Sequence, residues 1–269
     1  MLYIVSTPIG NLQDISLRAI QTLKECSTIY CEDTRLSIRL LKAHGIDTPL
    51  KSYHKFNEKQ RLSELIERLK GGEDLALISD AGTPLIADPG SILIKALYEE
   101  KLPITTIPGP SAPICALVLS GLSDTPFQFI GFFEKKKMGL IEQISNLTLY
   151  QGSTIAFISP HKLIDTFKAF EKVLPNHPLF IAREITKKFE EYLWATPQEL
   201  LDKWSKQAVK GEFVMVIPEV TSSIAHNPQE WIEHLKEVFS LSTKEALGVA
   251  AKHLNLSKRS LYNQQLKDR

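Results

Sequence analysis

The sequence predicts an α/β protein made of two α/β domains and a small helical domain at the C-terminal end. Short apolar, often β-branched runs alternate with segments whose apolar residues recur every three or four positions. This alternation is typical of sheets covered by helices. A polar, breaker-rich stretch, "EVTSSIAHNPQ", separates it from a helical tail. We expect an N-terminal α/β domain over 1–122, a second over 123–218, a linker over 219–228 and a helical domain over 229–269.

In the first domain, short apolar strands and amphipathic helices follow one another in order. Thr34 is the expected cap of the second helix, and Asn57 is expected to cap the third, whose Leu62, Leu65 and Leu69 form one apolar stripe. The strands are predicted at 2–6, 27–31, 74–79 and 104–107, and the other helices at 16–25, 34–44, 91–100 and 112–120.

The second domain is predicted to contain a mixed sheet. Its first strand, "FQFIGFF", runs into the basic turn "EKKKMG". Two later strands flank "EITKKF" too closely for a helix to fit between them, which indicates an antiparallel pair. The further strands are predicted at 153–159, 178–183, 190–195 and 212–218, and the helices at 162–173 and 197–206.

The tail is predicted to hold two short helices around a turn at 255–257, with Lys258, Arg259 and Lys267 on the second. This arrangement resembles a helix-turn-helix unit. A small helical cap over the second sheet is an equally good interpretation.

Composition excludes several classes of protein. The chain has 269 residues, 43% of them hydrophobic and 23% charged, which is ordinary for a globular protein. A net charge of +1 means that any nucleic-acid surface must be local. Its three cysteines lack metal-type spacing, so we expect no disulfide framework and no metal site. With no apolar run of about 20 residues and no basic leader, a cytoplasmic protein is expected.

Four loops that each contain Pro, three of them also Gly, directly follow apolar runs: "STPIGN", "SDAGTPLIADPGS", "IPGPSAP" and "ISPH". Ligands of open α/β sheets bind beyond the carboxyl ends of strands, so these loops indicate a binding site, although each alone would also serve as a plain turn. Neither GxGxxG after the first strand nor GxxxxGK is present. We expect a ligand other than a dinucleotide or nucleoside triphosphate.

The same loops carry a family resemblance. "TPIGN", "CEDTR", "SDAGTP", "DPG", "IPGPSA", "SPH", "AREITK" and "GEF" occur in one order over about 2–218. This series resembles the ribosomal RNA small subunit methyltransferase I family of the tetrapyrrole methylase superfamily. The resemblance implies two α/β domains with an S-adenosylmethionine cleft between them, a homodimer, and 2′-O-methylation of a cytidine ribose in the decoding centre of 16S ribosomal RNA.

The resemblance and the chemistry together nominate site residues. The resemblance implies a cofactor wall made of Pro8, Ser79, Asp80, Ala81, Gly82, Thr83, Ser111 and Ala112, with Ile158 and Ser159 from the second domain. Candidates for the base that removes the ribose proton are Glu32, Asp33, Asp88 and Glu184. Contacts to the RNA backbone are expected from Arg35, Lys135, Lys136, Lys137, Lys187, Lys258 and Arg259.

Several of these assignments have plain structural alternatives. Asp80 can shape its own loop, and Glu32 and Asp33 can simply start a helix. Tyr53 and Phe56, beside His54, are candidates for stacking a base, but they are also candidates for packing. The chain departs from the family at Ile158, where an acidic residue is usual, and at Lys162, where Arg is usual.

Two other functions are compatible with the sequence. One keeps the fold and methylates a tetrapyrrole, against which "CEDTR" and the basic tail argue. The other is a non-catalytic RNA-binding assembly factor. Binding of S-adenosylmethionine distinguishes an enzyme from such a factor.

Overall fold

A computed structural model describes residues 1–206, 209–220, 228–239, 241–254 and 256–261. The chain divides into two compact units. Unit 1 comprises Met1–Cys115 and the short segment Ile185–Lys188, and unit 2 comprises Ala116–Glu184 and Phe189–Arg269. Most of the predicted linker at 219–228, Asn255 of the predicted turn and Lys267 lie outside the described residues. The predicted domain boundaries stay a prediction.

Unit 1 is built on a parallel sheet of five strands in the order β3-β2-β4-β1-β5. Four of the strands were predicted. The third was not, because its three residues are too short and too polar to show a period. The strands are β1 (Leu2–Val5), β2 (Thr28–Cys31), β3 (Leu50–Ser52), β4 (Leu75–Ile78) and β5 (Ile104–Ile107).

Helices cover both faces of this sheet. They are α1 (Leu17–Glu25), α2 (Thr34–Ala43), α3 (Glu58–Lys70) and α4 (Ser91–Glu99). The next helix, α5 (Ala112–Ser120), begins in unit 1 and continues into unit 2. The chain moves from β1 to β2 to β3 in one direction and then returns through β4 and β5 in the other. Right-handed crossovers therefore place α1 and α2 on one face and α3 and α4 on the other. Each face of the sheet has its own hydrophobic core, and successive residues of a strand point to opposite faces. In β2, Ile29 and Cys31 pack with α1 and α2, whereas Tyr30 packs with α3 and α4.

Two expected helix caps differ from the structure. Asp33, not Thr34, is the N-cap of α2, where its carboxylate accepts from the Arg35 amide at 2.8 Å. Asn57 is at the N-cap position of α3 but makes no side-chain cap bond. The side-chain oxygen of Asn57 instead accepts from the backbone amide of His54, and its side-chain nitrogen donates to the Ser52 carbonyl. These two hydrogen bonds stabilise the turn before the helix. Side-chain caps compete with such local turns, and sequence alone does not decide between them.

Unit 2 contains the predicted mixed sheet, in the order β6-β7-β10-β8-β9. The pair β6 and β7 is parallel, whereas β10 is antiparallel to both of its neighbours. The antiparallel pair around "EITKKF" is confirmed as β8 and β9. The strands are β6 (Phe127–Phe132), β7 (Ser153–Ile158), β8 (Leu179–Arg183), β9 (Glu191–Ala195) and β10 (Phe213–Ile217).

The helices of unit 2 share one hydrophobic core with this sheet. A helix that was not predicted begins inside the basic run, where Leu140, Ile141 and Ile144 form its buried stripe. The described tail helices are also part of this core, through buried residues such as Leu235 and Ala250. The helices are α6 (Lys137–Asn146), α7 (Leu163–Val173), α8 (Pro197–Trp204), α9 (Pro228–Phe239) and α10 (Thr243–His253).

This packing gives a stability prediction for the tail. Leu235→Ala removes a side chain with 0% exposure and leaves a cavity beneath α9, so we expect unfolding free energy to fall by about 2–5 kcal/mol. Denaturant unfolding measures the change, with Glu237→Ala, an exposed position on the same helix, as the control. A loss below about 1 kcal/mol would mean that α9 is peripheral to the core.

Across the parts of the chain that the structure describes, no helix has both the length and the apolar character required to cross a membrane. All three cysteines are free thiols, and Cys26 and Cys31 are buried.

Candidate active site

The carboxyl ends of all five strands of unit 1 meet at one edge of its sheet, because the strands are parallel. Two of the loops there are joined directly. The Thr7 amide donates to the Gly82 carbonyl at 2.9 Å, and the Gly82 amide donates to the Thr7 carbonyl at 3.0 Å. The Thr7 hydroxyl also donates to the Ser79 carbonyl at 3.1 Å. The loops after β1 and β4 thus form one rigid wall that includes the predicted residues Ser79 and Gly82.

The loop after β5 completes this wall. The Thr83 hydroxyl donates to the Pro110 carbonyl at 3.1 Å. Gly109 packs against the loop after β1 so closely that a Cβ there would lie 2.9 Å from the Cβ of Ser6. Pro8 and Ser111 belong to these same two loops, and Ala112 directly follows Ser111 as the first residue of α5. The structure therefore brings together the segments that carry every cofactor residue predicted in the first domain.

The loop after β4 is held in an uncommon backbone conformation. Gly82 has φ +80°, which Gly tolerates, but Leu85 and Ala87 have φ values of 73° and 67°. Non-glycine residues in this region are strained and tend to occur at functional sites. Asp88 directly follows Ala87 at the end of this strained turn.

Four acidic residues act on one another at this edge. They come from the ends of the neighbouring strands β2 and β4: Glu32, Asp33, Asp80 and Asp88. The Asp80 carboxylate accepts from the Asp33 amide at 2.9 Å, which links the two loops. Burial raises the pKa of Asp80, and the negative charge of Asp33 adds to this effect although its amide donates to Asp80. Such mutual repulsion is typical of carboxylates placed for proton transfer.

Asp33 differs from the other three carboxylates. Arg35 donates from Nε at 3.0 Å and from Nη2 at 2.7 Å to its two oxygens, and its amide donates as well. The Arg35 side chain and then its amide hold the pKa of Asp33 at about 2. A carboxylate so strongly ionised and so occupied is a poor proton acceptor at neutral pH. Its observed contacts are those of a helix cap.

Glu32 and Asp88 differ from Asp33 because the pKa of each carboxyl group is raised. Burial raises the pKa of Glu32, the charge of Asp80 raises it further, and His54 opposes the change. Burial raises the pKa of Asp88 to about 6, and the charges of Glu32 and Asp80 contribute. A carboxyl group that titrates near neutral pH accepts a proton more readily than an ordinary one. Asp88 is therefore the strongest candidate.

The residues beside His54 separate into one packing residue and one exposed residue. Tyr53 is 1% exposed and belongs to the core of unit 1. Phe56 is 95% exposed, and its ring meets His54 edge-on with the centroids 6.1 Å apart. Of the two aromatic candidates, only Phe56 presents a surface on which a base can stack.

The segment at 185–188 packs tightly on the loop after β1. The Asn11 amide donates to the Thr186 hydroxyl at 3.0 Å. A Cβ at Gly10 would lie 2.5 Å from Cγ of Lys187 and 2.9 Å from the Ile185 carbonyl oxygen, so only glycine fits there. The RNA candidate Lys187 is thus fixed next to the loop that contains Pro8.

The remaining candidates lie in unit 2. Ile158 is 2% exposed in the core, so only its backbone is available to a ligand, and Ser159 directly follows it. Glu184 has φ 52°, and its carboxylate accepts from the Glu212 amide at 2.8 Å. Those observed contacts organise its loop. The exposed basic candidates of this unit are Lys135, Lys136, Lys137, Lys258 and Arg259.

Two residues of the wall were not singled out in the sequence. Thr7 forms the hydrogen bonds that join the first two loops, and Gly109 permits the approach of the third. Both lie inside the Pro- and Gly-rich loops that drew attention. The resemblance predicted the nearby residues Pro8 and Ser111 as cofactor contacts. It does not indicate which backbone contacts hold the loops together.

The parallel sheet with its loop wall, followed by a mixed sheet, defines a protein of two α/β units with a candidate ligand site at one sheet edge. The family model "Tetrapyrrole (Corrin/Porphyrin) Methylases" matches residues 1–201. Solved structures agree on this fold. Diphthine synthase aligns with a TM-score of 0.64 at 16% identity over 91% of this chain and 98% of its own. Uroporphyrin-III-C-methyltransferase from Thermus thermophilus aligns with a TM-score of 0.58 at 15% identity over 81% of this chain and 94% of its own.

Relatives with higher sequence identity indicate which family within the methylases this chain belongs to. Ribosomal RNA small subunit methyltransferase I of Bacillus subtilis (strain 168) is 35% identical over 271 residues, covering 98% of this chain and 93% of its own. The protein of the same name from Mycoplasmopsis pulmonis is 44% identical over 216 residues, covering 80% of this chain and 96% of its own. The chain belongs to the ribosomal RNA small subunit methyltransferase I family.

Proposed function

We propose that this protein is a cytoplasmic, homodimeric methyltransferase that uses S-adenosylmethionine to methylate the ribose 2′-oxygen of a cytidine in 16S ribosomal RNA. The relatives that span nearly the whole chain are named for methylation of small-subunit ribosomal RNA. The observation that supports the chemistry is the strained loop after β4, which ends at Asp88, a carboxyl group whose pKa burial raises to about 6.

The wall of unit 1 fits this cofactor. S-adenosylmethionine has an amino-acid end, a sulfonium and an adenine but no phosphate, so it requires backbone polar groups and a closely fitting surface. Pro8, Ser111 and the run 79–83 would hold it, because their loops are rigid and end at one sheet edge. When bound, the cofactor supplies an electrophilic methyl group.

The side chains of the protein activate and position the nucleophile, which is the ribose 2′-hydroxyl. The Asp88 carboxylate accepts the proton of the ribose 2′-hydroxyl, and burial, together with the charge of Glu32, keeps the pKa of Asp88 high. Asp33 caps α2 and holds Asp80 through its amide, so it positions the loops. Arg35, whose side chain is 88% exposed, is available to a phosphate as well as to Asp33.

The experiment that tests this function uses the full chain, labelled S-adenosylmethionine and small ribosomal subunits from cells that lack the gene. We expect label at a ribose 2′-oxygen of 16S ribosomal RNA. Transfer to a porphyrin precursor instead would make the protein a tetrapyrrole methylase. Failure to bind the cofactor in calorimetry would make it a non-catalytic RNA-binding factor.

A further inference from the structure

A groove separates α6 from α10 within unit 2, with a volume of about 510 Å³. Met138 and Glu142 of α6 form one wall. The other wall comes from α10 and from Lys258, at the start of the next helical turn.

Three lysines line this groove, opposed by two glutamates. Lys252 is neutralised, because its ammonium donates to both oxygens of Glu142 at 2.8 and 2.9 Å. Glu245 is engaged in the capping box of α10, where its carboxylate accepts from the Ser242 hydroxyl at 2.6 Å and amide at 2.9 Å. That contact with Ser242 also keeps the pKa of Glu245 below its usual range.

The two other lysines, Lys244 and Lys258, are exposed and form no ion pair with any residue that the structure describes. Lys258 lies directly over α10. A Cβ on Gly248 would be 2.9 Å from its Nζ and 3.2 Å from its Cε. The absence of a side chain at Gly248 thus provides the space in which the ammonium group sits.

More positive charge is close by along the chain. Lys136 and Lys137 directly precede Met138, and Arg259 follows Lys258; all three are exposed. The whole chain has a net charge of only +1, so this cluster is a local concentration of positive charge. Clustered cations beside a polar groove favour polyanions with repeated phosphates.

We propose that the groove between α6 and α10 binds backbone phosphates of the RNA substrate, with Lys244 and Lys258 as the main contacts. The proposal rests on the proposed function, to which it adds a docking surface. It also assigns a role to the pair of Lys252 and Glu142, in which the carboxylate limits the charge of the groove. A docking site of this kind raises affinity for RNA without changing the methyl-transfer step.

The test measures the affinity of the full chain for a 16S ribosomal RNA fragment over a range of salt concentrations. Lys244→Gln with Lys258→Gln is expected to weaken binding about 10-fold near 0.15 M salt and to reduce the salt slope by about 1 for each lysine. Lys168→Gln, an exposed lysine on α7, is the matched control and should leave both quantities unchanged.

Two further variants separate this proposal from a general effect on folding. Glu142→Gln frees the Lys252 ammonium, so we expect RNA to bind about 3-fold more tightly with a steeper salt slope. Gly248→Ala pushes aside only the flexible end of Lys258, so we expect a smaller loss of RNA affinity than in the double lysine variant, while alanine is the better helix former. Thermal unfolding of both variants confirms that they are folded.

The outcomes are distinct. Unchanged RNA affinity in the double lysine variant, or weaker binding by Glu142→Gln, would overturn the proposal. If the native groove bound inorganic phosphate at low concentration while the double lysine variant kept its RNA affinity, the groove would be a site for small anions and the proposal would fail. If the native chain bound RNA with these charge effects but transferred no methyl group, the proposed function would fail and the docking surface would stand.

Discussion

Asp88→Asn is expected to lower the rate of methyl transfer by about 100- to 10 000-fold, the usual effect of removing a general base. Asparagine keeps the size of the side chain but cannot accept the ribose proton. The pH dependence provides the specific readout. Because the pKa of Asp88 is about 6, kcat/KM of the native enzyme should rise with pH through about 6, and this limb should be lost in the variant.

Stability supplies the control for this variant. The pKa of Asp88 in the folded protein is about 6, above its ordinary value of 3.8, so the folded state binds this proton more tightly than the unfolded chain does. The stability contributed by the protonated group is therefore lost as pH rises from about 4 to about 6. Asparagine has no such charge, and Asp88→Asn should be at least as stable as the native protein at pH 7. A less stable variant would point to a structural role.

Glu32→Gln tests whether Glu32 is the base or only a charged neighbour of Asp88. The charge of Glu32 is one of the causes that raise the pKa of Asp88, after burial. Its removal should move the acidic limb of the pH profile to lower pH while activity at neutral pH is largely kept. If Glu32→Gln abolished activity and Asp88→Asn did not, the roles of the two residues would be reversed.

Asp80→Ala is expected to weaken binding of S-adenosylmethionine about 10- to 100-fold. The substitution removes the acceptor of the Asp33 amide, and a hydrogen bond to a charged group is worth about 1.5–3 kcal/mol. With this bond lost, the loops after β2 and β4 are no longer held together at this point. Calorimetry with the cofactor measures the effect.

Asp80→Asn is the matched variant. Its amide oxygen can still accept from the Asp33 amide, so the loops stay joined although the charge is gone. We expect this variant to keep most of the cofactor affinity, because the contact seen for Asp80 is the one to the Asp33 amide. Equal losses in both variants would show instead that the charge itself contacts the cofactor.

Sequence patterns predicted most of the elements, and the reasons for the failures are local. The strand β3 has three residues, which is too few to display a period. The helix α6 was hidden because its start lies in "EKKKMG", which suggests a turn, although Leu140, Ile141 and Ile144 carry a helical stripe. The use of Asp33 rather than Thr34 as a cap was also undetermined, since both residue types cap helices well.

The sequence by itself determined the α/β class and the loops at strand ends, because periodicity and breaker residues act over short distances along the chain. Tertiary structure alone decided the strand order that puts β2 beside β4. That order brings Glu32 and Asp33 to Asp80 and Asp88, residues about 50 positions further along the chain. Their pKa values depend on burial and on one another, and neither cause is visible until the chain has folded.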